Sequence, residues 1–139
     1  MIIIRDWEEF DGGPSEQRRS RMYVTLNKRG MILINNGMFA AMGNPEAALL
    51  LYDRRNKTIG VRPAEAGAKK SFPVRQKIGN THRSIYAWPF CRHFQIMPFE
   101  TVRFTAPQID NLGTLLLDLN GTVVVTRKAV SEQKDQQSY

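Results

Sequence analysis

Cysteine is almost missing from this chain. Cys91 is the only one, so no intrachain disulfide can form and a small secreted scaffold held by disulfides is excluded. Histidine is equally scarce. Cys91 and His93 have only His82 to add toward the three or four ligands that zinc requires, so no metal is expected. Long apolar runs are absent as well. Met-Ile-Ile-Ile opens the sequence, but Arg5, Asp6, Glu8 and Glu9 follow at once, too short a stretch for a signal peptide or a membrane span. By elimination, a cytoplasmic protein without a membrane partner is expected. Catalytic signatures are lacking too. The segment GAKKS (67–71) has no first glycine of a phosphate loop and follows no strand-to-helix junction. Asp53, Asp110 and Asp118 read as turn and strand-end residues rather than a hydrolytic pair. Cys91 beside His93 has no identifiable orienting group, and it reads as a small core residue near Trp88, Phe90 and Phe94. The expectation is a protein that is not an enzyme and takes no cofactor.

Positive charge is what the chain has in excess. Twenty Lys and Arg oppose thirteen Asp and Glu, for a formal charge of +7. The cations cluster at Arg18–Arg29, at Arg54–Arg62 and at Lys69–Arg83, an excess that favours polyanions through counterion release. Aromatic and basic residues also interleave, in Tyr86, Trp88, Phe90, Arg92 and Phe94, and later in Arg103 and Phe104. Such a pattern serves either as a stacking platform for single-stranded nucleic acid or, more commonly, as core.

Turn chemistry divides the chain. Residues 1–20 read as a flexible arm in which Ile2 to Asp6 could add an edge strand. From 21 to 63 the order is MYVTL, NKRG, MILI, NNGMFAAMG, NPEA, ALLLYD, RRNK and TIGVRP: strand, turn, strand, short helix, strand, turn, strand. Residues 64–82 form a basic linker or loop with one short strand around Phe72 to Arg75. In 83–130, SIYAWPFCRHFQIM predicts a strand and then a helix opened by Pro89, and ETVRFTAP a strand ended by Pro107. LGTLLLDL and TVVVTRK flank Asn120-Gly121, which predicts a C-terminal hairpin. Residues 131–139 read as a polar tail whose composition predicts disorder. The fold class is mainly β with short helices, α+β in kind. Segments 47–63 and 113–128 echo each other, as any two hairpins do; the alternative is a fused pair of similar units.

Arg21 to Pro63 resembles the AbrB-like family of swapped-hairpin domains, which includes SpoVT/AbrB and MazE-type proteins. Gly30 ends the first turn before Ile32 to Ile34, Gly43 stands where the family closes its short helix, and the closing strand pair ends in Arg62-Pro63. Met38, Phe39 and Met42 give that helix a one-sided apolar face. The resemblance implies a β-β-α-β-β core that interlocks with a second copy as a homodimer; alternatively, residues 84–128 supply the second half from the same chain. It also implies transcription-regulator or antitoxin-like binding of duplex DNA, with a protein partner such as a toxin left open. Met31, Asn35 and Phe39 to Ala41 stand where the family commonly has arginine, proline and helical arginines. The remaining nucleic-acid-binding candidates are Arg21, Lys28 and Arg29, helped by Lys69, Lys70 and Arg75, acting on phosphates. The alternative is an assembly module that keeps the core for oligomerisation and binds no DNA.

Overall fold

Asn27 organises the first reversal of the chain. Its side-chain Oδ1 accepts from the backbone N–H groups of Arg29 and Met31, and its own carbonyl accepts from Gly30 N–H at 3.0 Å. Gly30 then takes φ +76°, a left-handed position that costs glycine nothing, and the chain returns as an antiparallel ribbon of β1 (Val24–Leu26) and β2 (Met31–Ile34). The computed structural model describes residues 3–9, 22–76, 79 and 81–125. Arg21, most of the expected arm and the tail 131–139 lie outside them.

Asn35 stops the second strand and starts the first helix, α1 (Asn36–Ala41), by accepting from Met38 N–H at 3.1 Å. Gly43 (φ +89°) ends that helix, with Gly43 N–H donating to Ala40 O and Asn44 N–H to Phe39 O, a Schellman closure. Met38, Phe39 and Met42 are buried, as the one-sided apolar spacing predicts. The next hairpin joins β3 (Ala47–Asp53) to β4 (Thr58–Ala64) in unbroken register from Ala47↔Ala64 to Asp53↔Thr58.

Short strands follow: β5 (Phe72–Pro73), β6 (Arg75–Gln76), β7 (Arg83–Tyr86), helix α2 (Trp88–Phe94) with Pro89 in its first turn, then β8 (Val102–Phe104), β9 (Gln108–Ile109), β10 (Leu115–Asp118) and β11 (Thr122–Val124). Two antiparallel sheets result, one in the order β11-β8-β1-β2-β7-β6 and the other β5-β3-β4-β10-β9. Strands from 24–64 and from 83–124 stand side by side in both sheets. The first ribbon is therefore flanked by β8 and β7 of its own chain.

Alternation along each strand turns one face of each sheet inward. Val24, Leu26, Ile32, Ile34, Ile85 and Phe104 from the first sheet meet Ala48, Ile59, Val61, Leu115 and Leu117 from the second, with Phe39, Phe90 and Cys91 from the helices, in a single core. Removing apolar surface of this kind from water, at roughly 25 cal/mol per Å², is the main stabilising term.

Three expectations from sequence are corrected. The Asn120-Gly121 turn forms, with Gly121 N–H donating to Asp118 O at 3.0 Å, but β10 pairs with β4 and β9 while β11 pairs with β8. Neither residue has the positive φ that a two-residue hairpin turn demands, so the turn is a corner between sheets and no hairpin forms. Gly121 is instead a point of close approach: a Cβ there would lie 3.1 Å from Thr105 Oγ1. Among the described residues of 64–82 there are two short strands after β4, not one, and Val74 between them carries the chain from one sheet to the other. Finally, positions 3–9 form no strand, and Ile3, Ile4 and Trp7 stay exposed, because four charges among seven residues leave little to gain by pairing.

A Cβ built on Gly30 would sit 2.8 Å from Trp88 Cα, whereas one on Gly43 meets nothing within 4 Å. Gly30→Ala is therefore expected to destabilise the protein by about 2–3 kcal/mol and Gly43→Ala by about 1 kcal/mol, the bare left-handed cost. Urea unfolding of the two variants checks the difference.

Candidate nucleic-acid interface

Lys28 and Arg29 occupy the two exposed positions at the tip of the first ribbon, where the Asn27 side chain fixes the backbone that carries them. Gly30 O accepts from Ala87 N–H at 2.8 Å, so the tip is bolted to the start of α2. On its other side Lys28 borders a hollow of about 130 Å³ shared with Phe99, Glu100, Thr101 and Val125, which places one carboxylate near this cation.

The remaining candidates go elsewhere. Lys69 and Lys70 are exposed in the loop between β4 and β5, at the end of the second sheet where Ala47 pairs with Ala64. Arg75 is exposed on β6, paired with Ser84, at the edge of the first sheet. Arg21 lies outside the described residues. One turn thus brings Lys28 and Arg29 together, and Lys69, Lys70 and Arg75 stand on other parts of the surface.

Other arginines are already engaged. Arg54 stacks over Phe94 at 5.1 Å and Arg83 over Phe39 at 4.9 Å, while Arg62 Nε donates to Thr114 Oγ1. Phe94 itself packs with Tyr52 and Phe90 at centroid distances of 5.0 Å.

The interleaved aromatic and basic residues divide by helix face on α2 and by strand parity on β7 and β8. Phe90 and Phe104 are buried in the core, and Trp88 and Phe94 are half-buried. Tyr86 and Arg103 instead point away from the core, together with residues that sequence reasoning did not select. Register places Arg103, Thr25, Leu33, Ser84 and Arg75 in one row across the outer face of the six-stranded sheet. Tyr23 and His82 lie one row beyond, their rings 5.8 Å apart and Tyr23 Oη 3.4 Å from His82 Nε2. A cleft of about 780 Å³ opens there, bordered by Tyr23, Asn36, His82, Arg103 and Thr105. The signal in the sequence was the alternation within VRF and RSIY, which sorts each residue to one face once the inner face is known.

Among the described residues no group of three or more His, Cys, Asp or Glu is placed to hold a metal ion, and no helix is long and apolar enough to cross a membrane. Cys91 is fully buried in the core, and burial pushes its thiol up to about 11 from an ordinary 9.0, so it stays protonated and unreactive at neutral pH. Asp53, at the second hairpin, is fully exposed, and its carboxyl is lowered chiefly by the Asn56 side-chain amide, with Asn56 N–H adding to the effect.

Compared with known proteins, the chain matches no family model, no curated protein and no solved structure.

A thiol whose folded pKa is raised contributes stability that is fully present below its unfolded pKa and is lost as pH rises toward the folded one. The stability that Cys91 confers relative to Cys91→Ala is expected to shrink between pH 9.0 and about 11, which thermal melts of the two proteins across that range would detect. Iodoacetamide labelling of the native protein at pH 8 should be slow and become fast in urea.

Proposed function

We propose that this is a small basic DNA-binding protein, related in design to the swapped-hairpin regulators and antitoxins, which holds duplex DNA by its phosphates. The carrying observation is the tip of the first ribbon. Two adjacent cations, Lys28 and Arg29, project from a turn held by three hydrogen bonds to Asn27 and backed by α2. A turn already rigid loses little freedom on meeting a phosphate, and two cations match a backbone without reading bases. The net charge of +7 adds a long-range attraction to any polyanion. Lys69 and Lys70, in a separate loop, serve as auxiliary contacts when the duplex bends round the molecule or a second copy binds beside it. No chemistry on the substrate is part of this reading, and the protein acts in the cytoplasm by occupying DNA.

One observation favours assembly as a second reading. On the outer face of the five-stranded sheet, Leu51 and Leu116 flank Gly60, with Leu49 alongside, forming an apolar strip on an otherwise polar surface. A homodimer joined there would need no interlocked hairpins. Sedimentation velocity is expected to show a dimer that Leu51→Lys converts to monomer; a wild-type monomer would remove this reading.

For DNA binding, the double variant Lys28→Ala/Arg29→Ala is expected to weaken duplex affinity uniformly across sequences. It should also reduce the slope of log K against log salt by about 1–2, given roughly 0.9 per phosphate contact in B-DNA. Fluorescence anisotropy with a labelled duplex at several salt concentrations measures both. Unchanged affinity and slope would show that the tip is not the contact.

A further inference from the structure

We propose that the outer face of the six-stranded sheet binds single-stranded nucleic acid, with Tyr86 and Tyr23 stacking on bases and Arg103 and Arg75 holding phosphates. This goes beyond the duplex contact at the ribbon tip and uses a different surface. Neighbouring strands in the order β8, β1, β2, β7, β6 carry Arg103, Thr25, Leu33, Ser84 and Arg75 in one transverse row. Strands lie about 4.8 Å apart, so the two arginines stand about 19 Å apart at either side of a strip of hydroxyl and aliphatic groups. Both are exposed. Tyr86 ends β7 and His82 immediately precedes it, four residues apart or about 13 Å at 3.3 Å per residue, and strand parity puts both on this outer face. Tyr86 is 53% exposed on a strand whose next inward residue, Ile85, is completely buried, so its ring is displayed by the sheet and not by a loop.

Charge selects the occupant. The outward positions of these strands, from Tyr23 to Thr25, Met31 to Leu33, His82 to Tyr86, Arg75 and Thr101 to Thr105, include no carboxylate. A surface with arginines at its sides, aromatic rings between them and no acid fits a flexible polyanion with exposed π faces. A duplex hides those faces inside its stack, whereas a single strand offers them to the sheet. The 780 Å³ cleft beside Tyr23, His82 and Arg103 gives one splayed base a place to enter, with the Asn36 amide and the Thr105 hydroxyl at its border.

Anisotropy with labelled oligo(dT) and oligo(U) of about twelve nucleotides tests this, each titrated with the wild-type chain, Tyr86→Ala, Tyr86→Phe, Arg75→Ala/Arg103→Ala and Lys28→Ala/Arg29→Ala. Tyr86→Ala should weaken binding by about tenfold, the loss expected for one stacked base, and Tyr86→Phe by less than twofold, while circular dichroism shows all variants folded. The double arginine variant should reduce the salt slope by about 1.4, at roughly 0.7 per phosphate of a single strand for two contacts, and leave duplex binding nearly intact. Equal binding of both oligomers points to stacking and phosphate contacts without the 2′-hydroxyl, and preference for oligo(U) to added contacts with it; either agrees with the proposal. It is overturned if wild-type protein binds the duplex but neither oligomer, or if single-strand affinity follows the tip variant and ignores Tyr86→Ala. Wild-type protein that binds the oligomers but no duplex would instead sink the tip contact and leave the sheet face standing.

Discussion

The approach of the Gly30 turn to the start of α2 governs the geometry of the whole first sheet. Gly30 O takes the Ala87 N–H at 2.8 Å, and the space a side chain would fill is already occupied by the Trp88 backbone. The contact holds β2 against β7 over four residue pairs and so aligns the first ribbon with the second half of the chain. With β8 on its other side, that ribbon is hydrogen-bonded along both edges. A lone hairpin is marginal in water; one flanked on both sides and packed over a shared core is not.

Four crossings divide the strands between the sheets: from β2 through α1 to β3, at Val74, from β8 to β9, and at the Asp118 to Gly121 corner. At Val74, whose N–H donates to Glu46 O, the chain passes from β5 on one sheet to β6 on the other. At Asp118 to Gly121 it passes from β10 to β11. Each sheet consequently keeps one inner face for the core and one outer face for solvent. The outer faces differ in character: one carries Arg75, Arg103, Tyr86 and hydroxyl groups, the other Leu49, Leu51 and Leu116. The proposed binding and assembly surfaces rest on that contrast.

The cations follow the same partition. Arg54, Arg62 and Arg83 spend their guanidinium groups on rings and on Thr114, which makes them part of the packing. Lys28 and Arg29 at the ribbon tip, and Arg75 and Arg103 on the sheet, are left exposed, and the proposed phosphate contacts draw on them. Salt therefore distinguishes the two groups in principle: screening weakens an exposed phosphate contact far more than a cation held over a half-buried ring.

Local chemistry was plain in the residues. The Asn27–Gly30 reversal, the helix between Asn35 and Gly43, the second ribbon and the helix opened by Pro89 all stand where their turn and cap residues put them. So does the burial of Cys91, which the lack of any partner ligand made the simplest outcome. The destination of each strand was not plain. Asn120-Gly121 promised a hairpin because a turn motif reports on four residues, whereas pairing depends on which edge is open when the chain arrives, and here β4 and β8 were the better partners. The Tyr86 and Arg103 face was hidden for the same reason: alternation says that neighbours point opposite ways, and only packing says which way is out. Short-range sterics and hydrogen bonds thus wrote the elements into the chain, and long-range burial of apolar faces chose their partners and with them every surface able to bind.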